Sequence, residues 1–167
     1  MENFLFEAIT QLVVHKVEFV ICGGIACILH GSKRTSFDLD ISVSMNEKNL
    51  QKIISTAKLM NWVPRVPEPI EYILDPQKRK EWIEEKGARV FTLNSSDGFL
   101  QIDVFLTYPI SFELLKKDAV LFEVDGIRFP VSSIQHLLQA KKSIESKRRE
   151  DVYDIEMLEE IIYGNRI

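Results

Sequence analysis

The segment 37–43 alternates strictly between apolar and polar side chains, and this alternation constrains the fold more than any other feature of the sequence. Its even-numbered residues are Asp38, Asp40 and Ser42, and its odd-numbered residues are all apolar. A period of two is typical of a β-strand with one buried face. Because residues two apart point to the same side of a strand, the two carboxylates are predicted to lie side by side. They repel each other unless a cation lies between them, so this face is either exposed or binds a cation.

A third aspartate repeats the pattern on a second candidate strand. Asp103 lies between Ile102 and Val104, which would face the opposite way. Three carboxylates that converge from neighbouring strands form the hard-oxygen site that Mg²⁺ or Mn²⁺ prefers, and such sites serve phosphoryl and nucleotidyl transfer. The spacing is equally compatible with Asp38 and Asp40 on the solvated face of an edge strand.

Composition excludes several classes of protein. The chain has 167 residues, of which 46% are hydrophobic and 28% charged, so it is neither collagen-like nor largely disordered. Its net charge of −4 argues against a globally basic surface for nucleic acid. The sequence has neither a signal-peptide pattern at its start nor a long apolar span, so we expect a cytoplasmic protein without membrane contact. Cys22 and Cys27 lack metal or redox spacing and are predicted to be reduced and buried.

The periodicities along the chain predict an α+β fold, in which helices pack on a mixed sheet and the chain ends in helices. We expect a single domain over residues 1–167, with a core over 1–131 and C-terminal helices over 132–167. Asn46 is a predicted helix cap, Ser132 and Ser133 are both candidates to cap the helix after Pro130, and the proline-rich stretch 61–76 is predicted to be largely irregular. Helices are predicted over 3–16, 23–29, 46–59, 77–86, 134–144 and 150–163, and strands over 17–22, 37–43, 62–66, 89–93, 99–107, 120–124 and 127–131.

Two consecutive glycines, Gly23 and Gly24, end the first apolar strand and open a short helix. Glycines let the backbone approach a phosphate closely, and the start of a helix presents unpaired N–H groups to negative charge. A Gly-Gly pair alone is more often a tight turn than a phosphate site. The complete order is more specific, because a strand, Gly-Gly, a short helix and a basic turn precede the strand that carries Asp38 and Asp40.

This order resembles the nucleotidyltransferase superfamily with the polymerase-β-type fold, and in particular its small minimal-nucleotidyltransferase and AbiEii-toxin-like members. The likeness lies in segments 19–26, 30–41 and 102–104, so it covers the first 45 residues well and the end of the chain loosely. The family pattern is matched at His30, Gly31, Arg34, Ser36, Asp38, Asp40 and Asp103.

The resemblance implies a metal-dependent enzyme that transfers NMP from an NTP to a hydroxyl acceptor and releases pyrophosphate. Asp38 and Asp40 would coordinate the metal ions, Mg²⁺ or Mn²⁺, and Asp103 would complete the second metal site and help to deprotonate the acceptor. The nucleotide would contact Gly23, Gly24, Arg34, Ser36, Lys141 and Lys142. His30 ends a short helix and is predicted to have a structural role.

The C-terminal helices carry a second, looser part of the resemblance. Lys141 falls within the apolar stripe of its predicted helix, which favours either a snorkelling lysine or a phosphate contact. Related nucleotidyltransferases have a lysine here, at position 141 or 142, followed by a run that resembles 149–154. Glu150 departs from that run, where a basic residue is expected. Asp151 and Asp154 are predicted to cap a helix and to pair with arginines rather than to bind metal.

Two other functions remain open at this level. A non-catalytic nucleotide-binding or toxin–antitoxin partner module of the same fold would suit so short a chain, with an antitoxin protein as its partner. A purely structural interaction domain would leave the carboxylates at the surface. For an enzyme, the acceptor hydroxyl could belong to a tRNA 3′ end, to a protein or to a small molecule such as an aminoglycoside.

Overall fold

The computed structural model describes residues 3–164, which form a mixed sheet with helices packed against it. In chain order the strands are β1 (Phe19–Cys22), β2 (Asp38–Val43), β3 (Trp62–Pro64), β4 (Val90–Ser95), β5 (Gln101–Phe105), β6 (Val120–Val124) and β7 (Ile127–Val131). The α-helices are α1 (Phe4–Val14), α2 (Gly23–Leu29), α3 (Glu47–Leu59), α4 (Pro76–Glu84), α5 (Phe112–Asp118), α6 (Ile134–Lys142) and α7 (Arg149–Tyr163), and a 3₁₀ helix covers Ile70–Leu74.

The strand order across the sheet is β3-β4-β5-β2-β1-β7-β6. Strand β2 is therefore central, antiparallel to β1 and parallel to β5. The predicted α+β fold with a helical C-terminal end is confirmed, whereas the interpretation of the Asp38–Asp40 strand as an edge strand is wrong. None of the helices within residues 3–164 is both long and apolar enough to cross a membrane.

The apolar face of the central strands anchors the main core. Leu39 and Ile41 of β2, together with Ile102 and Val104 of β5, are almost completely buried. They belong to one apolar cluster with residues of α1, α3 and α6. Burying these alternate side chains fixes which way the other residues of β2 and β5 point, because a shift by one residue would turn the apolar set to the opposite face.

The structure corrects the sequence-based elements at several points. Phe37 does not join the buried face of β2, because the strand begins at Asp38 and the Phe37 side chain is 79% exposed. Helix α5 was not predicted, since it spans only seven residues and buries a single one, Leu115. The 3₁₀ helix within the proline-rich stretch was also missed, and α6 ends at Lys142, before Ile144.

Other local predictions are confirmed. The Asn46 side chain accepts a hydrogen bond from the Asn49 N–H and caps α3, and Ser133 caps α6 in the same way. Cys22 and Cys27 are free and buried, and burial raises the pKa of both thiols to about 12. Thiols that remain protonated at neutral pH are poor ligands and poor nucleophiles, so both cysteines act as small core residues.

One buried polar side chain joins α3 to the start of β1 and the end of β2, which lie next to each other in the antiparallel pair. Asn49 is 1% exposed, and its Oδ1 accepts a hydrogen bond of 2.7 Å from the Glu18 N–H. Its Nδ2 donates to the carbonyl oxygens of Glu18, at 3.0 Å, and Ser44, at 2.9 Å. The residue before β1 and the residue after β2 are thus held by one amide.

We expect Asn49→Ala to lower the free energy of unfolding by about 2 kcal/mol, because it removes the hydrogen-bond partner of the partly buried Glu18 N–H and of the Ser44 carbonyl oxygen. Gln51→Ala, on the exposed side of the same helix, should change it by less than about 0.5 kcal/mol. Urea unfolding followed by circular dichroism measures both. Equal stability of the two variants would contradict the bridging role of Asn49.

Candidate active site

The polar face of β2 and β5 forms the floor of a cavity of about 720 Å³. The start of α2, the loop before β2, the segment after β5 and the ends of α6 and α7 surround it. Of the residues predicted to form a site, it brings together Gly23, Gly24, Arg34, Ser36, Asp38, Asp40, Asp103 and Lys141. Lys142 does not line this cavity. It is half-exposed, and its Nζ lies 2.6 Å from Glu159 Oε1.

The parallel pairing of β2 with β5 brings the three carboxylates to one face. Asp40 lies directly opposite Asp103, and Asp38 lies opposite Gln101, one pleat away. Directly opposite residues on neighbouring strands point to the same side of the sheet. Asp38 is exposed at the start of β2, whereas Asp40 and Asp103 are partly buried. Residues 63 positions apart in the chain thus place their negative charges next to each other.

The electrostatics of the floor oppose full ionisation. Burial, followed by the Asp103 and Asp38 carboxylates, raises the pKa of Asp40 to about 7. Burial and the Asp103 carboxylate also raise the pKa of Asp38. Lys141 and the Gly24 N–H favour the Asp40 carboxylate but do not offset these effects. The floor is therefore a place where a cation would be stabilised.

Two neighbouring side chains orient Asp103. Thr92 of β4 donates its hydroxyl hydrogen to Asp103 Oδ1 at 2.6 Å, and Gln101 donates from Nε2 to Oδ2 at 3.0 Å. The Gln101 amide oxygen in turn accepts a hydrogen bond from Arg65. Neither partner of Asp103 is predicted from the sequence. Gln101 could have been found from the sequence, because residues two apart on a strand point to the same face. The contact of Thr92 with Asp103 depends on the β4–β5 register, which the sequence does not reveal.

The two glycines are required by close approach of side chains. Gly23 has φ +63°, and a Cβ atom there would lie 2.1 Å from Asp40 Oδ2. A Cβ atom at Gly24 would lie 2.6 Å from Arg34 Nη2 and 2.7 Å from Ser36 Oγ. Any other residue would thus push Asp40, Arg34 or Ser36 out of place.

A buried ionic network closes the opposite wall of the cavity. The Arg34 guanidinium binds the Asp154 carboxylate through two hydrogen bonds of 2.7 Å. Lys141 Nζ lies 2.8 Å from Asp151 Oδ1 and 3.1 Å from Asp154 Oδ2. Asp151 also accepts hydrogen bonds from the backbone and side chain of Arg148, at the start of α7. The predicted pairing with arginines is confirmed for both Asp151 and Asp154, and the predicted helix capping is confirmed for Asp151 only.

These pairings keep the network charged. Burial disfavours the Lys141 ammonium, but the Asp151 and Asp154 carboxylates outweigh it and raise the pKa of Lys141. Burial likewise disfavours the Asp151 carboxylate, yet its hydrogen bonds to Lys141 and Arg148 lower its pKa to about 2. Because Arg34 precedes β2 and its partner Asp154 lies on α7, the network fixes the C-terminal helices beside the cavity.

His30 lies outside the cavity lining. Its Nε2 is 2.8 Å from the Ser132 carbonyl oxygen, and its ring packs edge-on against Phe122. The structural role predicted for His30 is confirmed. Further cavity residues that the sequence analysis did not single out include Arg89, Thr107 and Tyr108. No local pattern marks them, because they lie in or beside loops whose positions follow from tertiary packing.

The donor set at the floor fits a hard divalent cation. Within residues 3–164, no group of three or more His, Cys, Asp or Glu side chains is arranged so that it could hold a metal ion by itself. Mg²⁺ commonly binds through one or two carboxylates together with substrate phosphates, so a complete protein cage is not required. The Asp40 and Asp103 carboxylates are adjacent and repel each other, and the buried Lys141 does not cancel this repulsion. They therefore suffice as the protein's share of a Mg²⁺ site.

The raised pKa of Asp40 predicts a stability effect with a definite sign. Below about pH 4 the Asp40 carboxyl is protonated in both the folded and the unfolded chain. As the pH rises towards 7, the Asp40 carboxyl ionises in the unfolded chain only, so the folded state loses stability. In a chelator, Asp40→Asn should therefore be more stable than the original protein at pH 8.5, by on the order of 2 kcal/mol after allowance for solvent screening. The difference should vanish near pH 4.

The exposed Asp97, whose pKa is lowered by its hydrogen bond from Ser95, provides a control of opposite sign. Asp97→Asn should not gain stability at high pH. Thermal unfolding across the pH range measures both variants. An Asp40→Asn protein no more stable than the original at pH 8.5 would contradict the like-charge repulsion at the floor.

No protein-family model and no curated protein sequence matches the chain. Solved structures do. The lincosamide antibiotic adenylyltransferase LnuA with bound lincomycin has a TM-score of 0.64 and 18% identity, and the match covers 96% of this chain and 98% of that one. ANT(2″)-Ia in complex with adenylyl-2″-tobramycin has a TM-score of 0.60 and 8% identity, over 98% and 90% of the two chains.

An antigenic nucleotidyltransferase-like protein from Paracoccidioides brasiliensis is also similar, with a TM-score of 0.52 and 12% identity over 96% of this chain and 78% of that one. Identities this low establish likeness of fold, and the likeness extends over almost all of the chain. Together with the strand order and the helical C-terminal end, these matches lead to one conclusion: the chain has the fold of the nucleotidyltransferase superfamily.

Proposed function

We propose that this protein is a metal-dependent nucleotidyltransferase that acts in the cytoplasm, moves NMP from an NTP to a hydroxyl acceptor and releases pyrophosphate. The observation that carries the proposal is the meeting of Asp38, Asp40 and Asp103 on one face, with Gly23 against the Asp40 carboxylate. The fold it shares with structures of two adenylyltransferases supports nucleotidyl transfer in general. The residues of the floor support the metal dependence and the transfer to a hydroxyl group.

Asp38 and Asp40 would hold Mg²⁺ or Mn²⁺ together with oxygens of the triphosphate. When bound, the metal neutralises phosphate charge and makes the acceptor hydroxyl more acidic. The close contact of Gly23 and Gly24 with the side chains of the floor keeps this part of the cavity open to the substrate's phosphates. Ser36, beside Gly24, adds a hydroxyl donor on the same side.

Asp103 would take the proton of the acceptor. Its hydrogen bonds to Thr92 and Gln101 hold the carboxylate in place on β5. The acceptor oxygen forms its bond to the α-phosphorus while the bond from that phosphorus to the bridging oxygen breaks. The electron pair leaves with pyrophosphate, and the proton passes to the carboxylate, so atoms and charge balance.

The cationic wall would receive the β- and γ-phosphates. Its cations are Arg34, Lys141 and Arg148, and their carboxylate partners Asp151, Asp154 and Glu150 equal them in number, so the wall would contact phosphate through its individual cations and not through a net positive charge. A second wall offers an apolar surface for the nucleoside, because the rings of Phe105 and Tyr108 pack with centroids 4.5 Å apart at the cavity. Bases stack favourably on such rings.

The proposal predicts separate effects on binding and on transfer. Asp40→Asn should abolish metal-dependent binding of ATP in calorimetry, because it removes a metal ligand. Asp103→Asn should reduce transfer from α-³²P-labelled NTPs to components of a cell extract by about 100-fold or more, since it removes the proton acceptor. Asp125→Asn, in the exposed β6–β7 turn, is the matched control and should behave as the original protein.

Binding of NTP without transfer of label would contradict the enzyme and favour the alternative, a non-catalytic nucleotide-binding module with a partner such as an antitoxin. Absence of metal-dependent NTP binding would contradict both. Equal activity of Asp103→Asn and Asp125→Asn would remove Asp103 from the proposed chemistry.

A further inference from the structure

A second cavity, of about 500 Å³, opens beside the first where β2 and β5 begin. Phe37 and Asp38 line both cavities, so the second one adjoins the carboxylates. Gln101 also lines it, and this residue donates a hydrogen bond to Asp103. A molecule in the second cavity would thus lie next to the catalytic floor.

The position of this cavity agrees with the direction of an in-line displacement. The incoming and leaving oxygens lie on opposite sides of the phosphorus in such a reaction. The glycine pair follows β1, on one side of β2, and the cationic wall lies with it. The second cavity lies on the other side, along the beginning of β5 and the end of β4. It therefore lies on the side from which an acceptor would approach a triphosphate held against the glycine pair.

Two exposed phenyl rings line the second cavity. Phe37 is 79% exposed, and Phe99, in the β4–β5 turn, is 73% exposed, although it stacks on Phe4. Leaving a phenylalanine in water forfeits roughly 2 kcal/mol of burial energy, and exposed apolar surface at a cavity is typical of a binding site. The rings provide flat apolar surfaces against which a ring of the acceptor can pack.

The charges around the second cavity exclude one class of acceptor. Asp38 and Asp97 line it, against the single cation Arg65, whose guanidinium already donates to Gln101. With Asp40 and Asp103 next to it, the region is negative before a metal binds. A polynucleotide needs lysines and arginines along its phosphates, and this surface lacks them. The volume of the cavity matches that of sites for small molecules.

We infer that the second cavity binds the acceptor, and that the acceptor is a small neutral or cationic molecule that carries a hydroxyl group and a ring packed between Phe37 and Phe99. This inference rests on the proposed nucleotidyl transfer. Among the acceptors that the sequence leaves open, it selects the small molecule, and the negative charge of the region argues against a tRNA end.

The test separates the acceptor by chemical class. The original protein is incubated with α-³²P-labelled ATP and Mg²⁺ in three arms, with the low-molecular-mass filtrate of a cell extract, with its RNA and with its protein. We expect a labelled species distinct from AMP in the filtrate arm alone. In the variant Phe99→Ala, whose ring lines the second cavity and not the first, the KM for the filtrate acceptor should rise about tenfold. Its calorimetric affinity for Mg²⁺-ATP should stay unchanged.

Leu121→Ala removes a similarly exposed apolar side chain from β6, away from both cavities, and should alter neither value. Label in RNA or protein alone would overturn the inference and leave the transferase intact. A filtrate product whose KM is the same for Phe99→Ala and for the original protein would also overturn it. Absence of label in all three arms, with ATP bound, would instead contradict the proposed function itself.

Discussion

The parallel pairing of β2 with β5 is the constraint on which the rest of the site depends. Burial of Leu39, Ile41, Ile102 and Val104 on one side leaves no freedom in the direction of the other side chains, so Asp40 and Asp103 must meet. Packing energy, distributed over the whole core, thus holds together charges that repel each other. A cation bound between the two carboxylates would offset their repulsion.

The cavity is organised as two opposed halves. The floor concentrates carboxylates at the junction of two strands, and the wall holds arginine and lysine in place with carboxylates of its own. Such buried pairs contribute little net stability, since desolvation offsets much of their attraction. Their value lies in orientation, because each cation is fixed by at least one short hydrogen bond. A polyphosphate with its cation matches this division of charge.

Sequence patterns anticipated the parts of the site that depend on neighbouring residues. The alternation around Asp40, the glycine pair and the caps of α3 and α6 follow from local rules, and the structure contains them. Thr92 and the Phe37 ring could not be predicted, since the first depends on strand register and the second on where a strand starts. Helix α5 could not be predicted, because a helix of seven residues with one buried side chain shows no hydrophobic periodicity.

The pairing of Arg34 with Asp154 also has a consequence for synthesis of the chain. The two residues are separated by 120 positions, and the second lies on the last helix. A nascent chain can pair β1 with β2 early, yet its arginine stays without a carboxylate until α7 has left the ribosome. Assembly of this ionic network is therefore a late event in biogenesis, because a chain that ends before α7 lacks the carboxylate that Arg34 binds.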